Sequence, residues 1–445
     1  MKTIILGAGD VGYNVASKLI LENRDIIIIE KNLELAKFTS NHLDCIVIQG
    51  DGTNLDTLSE AGIKDADIFI SVTDSDEVNM ISCMLLDNNE TTVKIARVRN
   101  INYTRTMLLK KPMGIDYVIN PEIEASKSII NTVEHGAISD IYLFEHTDIQ
   151  MRNIFIDRTF PFINKSVKFI RKAAPGDYII AGVQRKGDVI LPHGDIIIKE
   201  QDSLYIIGKK LSINKFLSKT GSKVRKLKNI VVAGMGKIGR YVASYLDEEG
   251  RNVKVVDADY NKCKEIAEDN SGLLVIHGDI SDENVFEEER LANNDLIITA
   301  TDNEELNILS AVYAKSVGVK RAIAVASKAN YLQIAPNLGI DSTVSPKMSA
   351  VNTILKYIRK GKVKNVFSIF DGRAEAIEFT ISSSNKFKDI CLKDLEMPKD
   401  SLIVAVIRGK KSFIPSGDFK IETSDNIITF SKKVSTERLE EMFSS

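Results

Sequence analysis

Thr3-Ile4-Ile5-Leu6-Gly7-Ala8-Gly9-Asp10-Val11-Gly12 is a short apolar run entering a glycine-rich turn, and the next apolar run, Ile26 to Ile29, ends in Glu30. Halfway along the chain Ile230-Val231-Val232-Ala233 enters Gly234-Met235-Gly236-Lys237-Ile238-Gly239, and the run that follows ends in Asp257. From first glycine to acid is 23 positions in both copies. A strand, GxGxxG, a helix and an acid about 20 residues on form a dinucleotide-binding fingerprint. Here it is written twice in register. The first glycine makes the tight turn, the second lets backbone approach a pyrophosphate, and the third lets the helix pack closely on the strand. The phosphates then sit at the helix N-terminus, where N–H groups point outward. Glu30 and Asp257 are expected to take the adenosine ribose hydroxyls, favouring NAD, ADP or ATP over a ligand with a 2′-phosphate.

The repeat runs well beyond the glycines. Gln49-Gly50-Asp51-Gly52-Thr53 matches His277-Gly278-Asp279-Ile280-Ser281, and Ser71-Val72-Thr73-Asp74 with Glu77 and Asn79 matches Thr299-Ala300-Thr301-Asp302 with Glu305 and Asn307. Strand-length apolar runs such as Ile26 to Ile29, Cys45 to Ile48 and Ile68 to Val72 alternate with helical patterns, which predicts a doubly wound parallel sheet in each half. Periodic segments near Glu122 to His135 and Lys347 to Lys360 are expected as helices leaving those domains.

The pattern then turns β-rich, from about Asn153 to Gly208 and from about Ala374 to Phe430. Val183, Arg185, Pro192, Gly194, Asp195 and Asp202 align at one constant offset with Val406, Arg408, Pro415, Gly417, Asp418 and Asp425, so this small domain is duplicated too. The Pro-x-Gly-Asp stretches read as hairpin turns. The expected order is a nucleotide-binding domain over 1–137, a small β-rich α+β domain over 138–217, a linker over 218–228, then a second pair over 229–362 and 363–445. Five of the eleven linker residues are basic, the usual composition of a solvated connection.

A net charge of −2 with 27% charged residues gives no argument for nucleic-acid binding. Cys45, Cys83, Cys263 and Cys391 form no CxxC pair, so neither a zinc site nor a disulfide framework is indicated; small buried side chains in a reducing compartment are expected. No apolar run approaches the roughly 18–20 residues that cross a bilayer. These features point to a soluble, cytoplasmic protein.

With this four-part order, paired GxGxxG units, Gly-Asp after the third strand and Thr-Asp…Asn after the fourth, the chain resembles the RCK (or KTN) family of potassium-transport regulators over essentially its whole length. The resemblance implies two Rossmann-like RCK_N domains, each followed by an RCK_C domain. It also implies a non-catalytic subunit that binds NAD(H), with ATP or ADP as further ligands, assembles as a homo-oligomeric ring, usually a tetramer, and gates a membrane-embedded potassium-transporting subunit of Trk type. Carried over by position, the first site comprises Gly7, Ala8, Gly9, Asp10, Val11, Gly12, Glu30, Asp51, Thr73, Asp74 and Arg97. The second comprises Gly234, Met235, Gly236, Lys237, Ile238, Gly239, Asp257, Asp279 and Thr301, with Asp302 beside it.

The copies differ at one point. Arg97 and Arg99 align with Val325 and Ser327. A guanidinium makes strong charge-assisted bonds to phosphate. The first site is therefore expected to favour a phosphate-rich nucleotide and the second NAD(H), with Lys328 a possible substitute cation. A dehydrogenase shares the fingerprint, but needs a proton donor or acceptor beside the nicotinamide and a substrate domain. The five histidines show no catalytic pattern, and the duplicated β-rich parts suit modules better than a substrate pocket. Regulation of another cation transporter is the remaining alternative.

Overall fold

The computed structural model describes residues 2–21, 24–86, 92–104, 114–134, 141–144, 147–220, 227–358, 363–369 and 373–443. The middle of the expected linker (221–226), His135 and His146 lie outside this set. The chain divides into two compact units, Met1–Ala125 with Ser345–Ile358, and Ser126–Val344 with Arg359–Ser445.

The first unit is built on a six-stranded parallel sheet of β1 (Lys2–Leu6), β2 (Asp25–Glu30), β3 (Ile46–Gln49), β4 (Ile68–Ser71), β5 (Val93–Arg97) and β6 (Tyr117–Ile119), in the order β3-β2-β1-β4-β5-β6. Its central strands are apolar and buried on both faces, as a sheet covered on both sides requires. Between the strands run α1 (Asp10–Ile20), α2 (Leu33–His42), α3 (Leu55–Glu60) and α4 (Asp76–Met84), and α5 (Pro121–Glu134) begins after β6. One face packs Ile4, Leu6, Phe69 and Leu58, the other Ile5, Ile28, Val15 and Leu19.

That second face is completed by a helix from far along the sequence. Residues Pro346–Ile358 contribute Ala350, Val351, Ile354, Leu355 and Ile358 to the same core. Tyr357 stacks on Tyr117 at 4.0 Å between centroids, and Thr353 Oγ1 donates to Glu124 at 3.0 Å. The helical period was visible in the sequence; the sheet it would cover was not.

The second unit holds two further kinds of sheet. Strands β7 (Ile141–Leu143), β8 (Ile149–Phe155), β9 (Tyr178–Arg185), β10 (Asp188–Ile190) and β11 (Ser203–Lys209) form an antiparallel sheet with α6 (Val167–Ala173) and α7 (Lys210–Lys219). A second parallel sheet follows, made of β12 (Asn229–Ala233), β13 (Asn252–Asp257), β14 (Leu274–His277), β15 (Leu296–Thr299), β16 (Arg321–Val325) and β17 (Ser342–Val344). Its order, β14-β13-β12-β15-β16-β17, repeats that of the first. Its helices are α8 (Lys237–Glu248), α9 (Tyr260–Asp269), α10 (Glu283–Glu288), α11 (Glu304–Val317) and α12 (Ala329–Ile334); α13 is the Pro346–Ile358 helix already placed in the first unit. The chain ends in an antiparallel sheet of β18 (Val363–Ile369), β19 (Ala374–Thr380), β20 (Ser401–Arg408), β21 (Lys411–Phe413) and β22 (Asn426–Lys432), then α14 (Thr436–Phe443).

The two antiparallel sheets share one core, in which Met151, Tyr205 and Ile207 meet Ala376, Val404, Ile428 and Phe430. Each sheet is pinned by the same ion pair, a partly exposed arginine on a buried carboxylate. Arg185 Nε and Nη2 donate to both oxygens of Asp202 at 2.8 Å, and Arg408 does the same to Asp425 at 2.8 Å. The aligned arginine and aspartate of the repeat are thus architectural. At the Pro-x-Gly-Asp stretches Ile196 N donates to His193 O and Phe419 N to Ser416 O, the expected turns. Cys83 and Cys263 are buried as expected, whereas Cys45 and Cys391 are only partly so; all four are free thiols.

Candidate functional site

In each parallel sheet the strand order reverses between the first and fourth strands, and the crevice beyond their C-terminal ends is where open α/β sheets bind ligands. The sequence-derived residues of the first copy gather there from five adjacent strand ends. Gly7 to Gly12 follow β1, Glu30 ends β2, Asp51 follows β3, Thr73 and Asp74 follow β4, and Arg97 ends β5.

The three glycines have three separate physical reasons. Gly7 has φ +101° and lies against the Thr73 backbone, so it makes the turn. A Cβ on Gly12 would sit 1.9 Å from Gly7 O, so helix and loop could not close on each other. A Cβ on Gly9 would meet nothing within 4 Å. Among the described residues nothing requires glycine there, which leaves an open cradle suited to the backbone approach of a phosphate. Gly234 (φ +95°), Gly239 (1.8 Å from Gly234 O) and Gly236, open but for Asp302 at 3.7 Å, repeat the pattern.

The helix starts tell the same story. Helices following the second, third and fourth strands are capped by side chains: Asn32, Asn54 and Ser75 in the first copy, Asp259, Asp282 and Asn303 in the second. The two helices that follow the glycine turns, α1 and α8, begin at Gly9 and Gly236 and receive no side-chain cap. Their first-turn N–H groups are left for another acceptor.

Each acid already braces its loop. Glu30 accepts from Ala8 N at 2.7 Å and Asn32 N at 2.8 Å; Asp257 accepts from Met235 N at 2.5 Å and Asp259 N at 2.8 Å. An ionised carboxylate offers about four acceptor sites, so capacity remains for ribose hydroxyls. Asp51 accepts from Thr53 N and Oγ1 at 2.9 and 2.7 Å and pairs with Lys31 at 2.9 Å; the Thr53 bonds, then Lys31, hold its carboxyl down at about 2. Asp279 closes the same turn with Ser281, which lowers it too.

The Thr-Asp…Asn stretch proves to be a clamp. The buried Asn79 accepts from Thr73 N (2.8 Å) and Oγ1 (2.7 Å) and donates to Thr73 O (3.0 Å) and Arg97 O (2.9 Å), tying the ends of β4 and β5 together. Asn307 does the same for Thr301 and Val325, with distances of 2.7 to 3.0 Å. Both asparagines stood out in the repeat, yet only the fold reveals what they hold.

The copies part at β5 and β16. Arg97 reaches back over the fourth strand's loop, Nη1 to Thr73 O and to Asp74 Oδ1, both 3.3 Å, and its buried Nε has no hydrogen-bond partner. At 3.3 Å these Nη1 contacts are long, and a guanidinium at a strand end suits an anion. Val325 is 8% exposed and offers nothing comparable. Lys328 is committed elsewhere, 2.6 Å from Glu305, which also takes the Tyr331 hydroxyl at 2.7 Å. These two bonds, lysine first, hold Glu305 at about 2. His277 stacks edge-on with Tyr260 and contacts Ala258 O at 3.1 Å, the placement of a surface side chain.

Sequence reasoning missed one charged group at the first loop. Lys347, on α13, pairs with Asp10 Oδ1 at 2.9 Å. The signal was present in the repeat: Asp10 aligns with Lys237, and Glu122 with Lys347, so both positions reverse charge between copies.

Comparison with known proteins matches two family models, each twice: TrkA-N domain over residues 3–121 and 230–346, and TrkA-C domain over 154–221 and 376–444. The Trk system potassium uptake protein TrkA homolog 1 of Methanosarcina mazei is 33% identical over 100% of both chains. The TrkA of Halomonas elongata is 30% identical, covering 97% of this chain and 95% of its own. Among solved structures, the GsuK channel bound to NAD aligns with TM-score 0.58 and 17% identity over 99% of this chain and 78% of that one. The GsuK RCK domain aligns with TM-score 0.58 and 16% identity over 99% and 94%. At that identity the likeness is one of fold.

Proposed function

The chain belongs to the TrkA family of potassium-uptake proteins, and from that premise we propose that it is a nucleotide-sensing regulatory subunit which gates a membrane-embedded potassium transporter of Trk type without turning over its ligands. The observation that carries this is the duplicated cleft, in which an uncapped helix start, an open central glycine and a strand-end acid recur at one spacing. NAD(H), ATP and ADP fit that donor set: pyrophosphate at the Gly9 or Gly236 cradle, ribose at Glu30 or Asp257. Asp51, Thr73, Asp74 and Arg97 border the first cleft, and Asp279 and Thr301 the second. A neighbour of the same fold has been solved bound to NAD and, separately, to ADP, which supports nucleotide binding here.

Arg97 gives the first cleft a guanidinium at the fifth strand where the second has Val325, while the second carries Lys237 in its glycine turn where the first has Asp10. On this reading the guanidinium makes the first cleft the one that discriminates by phosphate, and the second accepts NAD(H) with less selectivity. A ligand shifts a conformational equilibrium only through its difference in affinity between two states. Competing nucleotides in one cleft therefore give opposite outputs. The reading also includes a homo-oligomer, a tetramer, at the inner face of the membrane. Ile81, Met84 and Leu85 on and beside α4, with Leu309 on α11, are apolar and exposed, and suit contact between copies. Among the described residues no helix is long and apolar enough to cross a membrane; the reading assigns the pore to the partner. The domain limits follow the four-part order, with boundaries near 137, 217, 228 and 362.

The test is potassium flux through a reconstituted Trk-type membrane subunit with and without this protein, under NAD⁺, NADH, ADP and ATP. Flux that depends on the nucleotide, with the nucleotide recovered unchanged, is expected. Flux indifferent to bound nucleotide, or consumption of NADH, overturns the reading.

A further inference from the structure

The first cleft receives a charged residue from the second half of the chain. Lys347 is the second residue of α13, immediately after Pro346, and α13 follows directly from β17 of the second parallel sheet. Its ammonium lies 2.9 Å from Asp10 Oδ1. Asp10 opens α1 directly after Gly9, at the uncapped N–H groups where a pyrophosphate would sit. The Lys347 side chain is 23% exposed while that of Asp10 is 81% exposed, so the lysine is the more enclosed partner. What holds the lysine is the packing of α13 against α1, through Val351, Ile354 and Leu355 on one core with Val11, Val15 and Leu19.

An aspartate in the first turn of a helix is favourable beside the helix dipole. It becomes unfavourable when phosphates arrive at the same N–H groups, because like charges then share one site. Lys347 removes that conflict. An ammonium carries three donors, so it can keep Asp10 and bond a phosphate oxygen together, or exchange one for the other. Building on the reading that the first cleft binds a nucleotide, we propose that Lys347 is a phosphate-binding residue of that cleft, supplied by the second repeat, and that Asp10 holds it in place when no phosphate is there. Occupancy of the first cleft then acts directly on α13, a helix continuous in the chain with β17 on one side and the last antiparallel sheet on the other. The second cleft does not receive the same device, because the aligned positions, Lys237 and Glu122, carry the opposite charges.

The experiment is calorimetric titration of the full-length protein with ADP and with adenosine, for wild type, Lys347→Met, Lys347→Arg, Asp10→Asn and Glu30→Ala. Lys347→Met should weaken ADP at one of two sites on the order of tenfold, the worth of one charge-assisted contact, and leave adenosine unchanged. Lys347→Arg should restore most of the loss, and Asp10→Asn should tighten ADP several-fold by removing a like charge. If Lys347→Met binds ADP like wild type while Glu30→Ala abolishes one event, the cleft stands and the lysine has no role in it. Equal loss of ADP and adenosine makes Lys347 a brace for the loop, which also overturns the proposal. Wild type that binds neither ligand removes the cleft and the inference together.

Discussion

The two nucleotide folds of this chain agree where backbone is at stake and differ where charge is. Strand order, glycine turn, acid and asparagine clamp are the same in both, with matching hydrogen bonds. Around that frame the first copy carries Arg97, and Asp10 paired with Lys347, where the second has Val325 and Lys237. Duplication preserved the glycine turn, strand-end acid and asparagine clamp, while the charges around them diverged. On the proposed reading, one chain thereby senses two ligands.

The largest effects should come from the shared frame and be equal in both copies. Gly12→Ala and Gly239→Ala each force a Cβ within 2 Å of a backbone oxygen. Each should cost about 3 kcal/mol or more, read as a fall in the denaturation midpoint. Gly9→Ala and Gly236→Ala should leave that midpoint unchanged and remove binding at one site each. A Gly9→Ala protein that unfolds early would break the assignment of an open cradle.

Next come the asparagine clamps. Asn79→Ala strands backbone groups at the ends of two strands and should cost about 2 kcal/mol, with Asn307→Ala the same within error. A large inequality would show that the two frames are less alike than their geometry. Arg97→Val should weaken ADP at the first site by roughly tenfold, and Val325→Arg should strengthen the second, so that the pair exchanges preferences. Titration checks both.

The smallest effect concerns acid. Asp51 is held at about 2 by Thr53 and Lys31, and Asp279 is lowered by Ser281, so the folded values lie below the unfolded one. Their stabilisation is complete above the ordinary carboxylate range and is lost as pH falls toward the folded values. Both groups are solvent-accessible, so the contribution is small. Asp51→Asn should lower the melting temperature slightly at pH 7 and hardly at pH 2, and more than Asp279→Asn, since Asp279 pairs with no lysine among the described residues.

Most of this frame was legible in the sequence, because apolar runs and glycine spacing are local and the fold uses them locally. Glu30 and Asp257 could be placed at the ends of β2 and β13 by counting. Asp202 and Asp425 could be aligned but not interpreted, since an arginine and an aspartate 17 residues apart in sequence become partners only when β9 and β11, or β20 and β22, pair. Lys347 was invisible for a deeper reason. Helical period says which face of α13 is apolar, but not that the face lies on a sheet more than 200 residues earlier. Only the reversal of charge between aligned positions hinted at it.

The most direct measurement is calorimetric titration of the full-length protein with NAD⁺, NADH, ADP and ATP, beside Glu30→Ala and Asp257→Ala. Two separable binding events are predicted, each removed by its own substitution, with the ligand recovered intact and the phosphate-rich nucleotides favouring the event that Glu30→Ala abolishes. A single event touched by both substitutions, or NADH consumed with a carbonyl substrate, would contradict the two-cleft sensor.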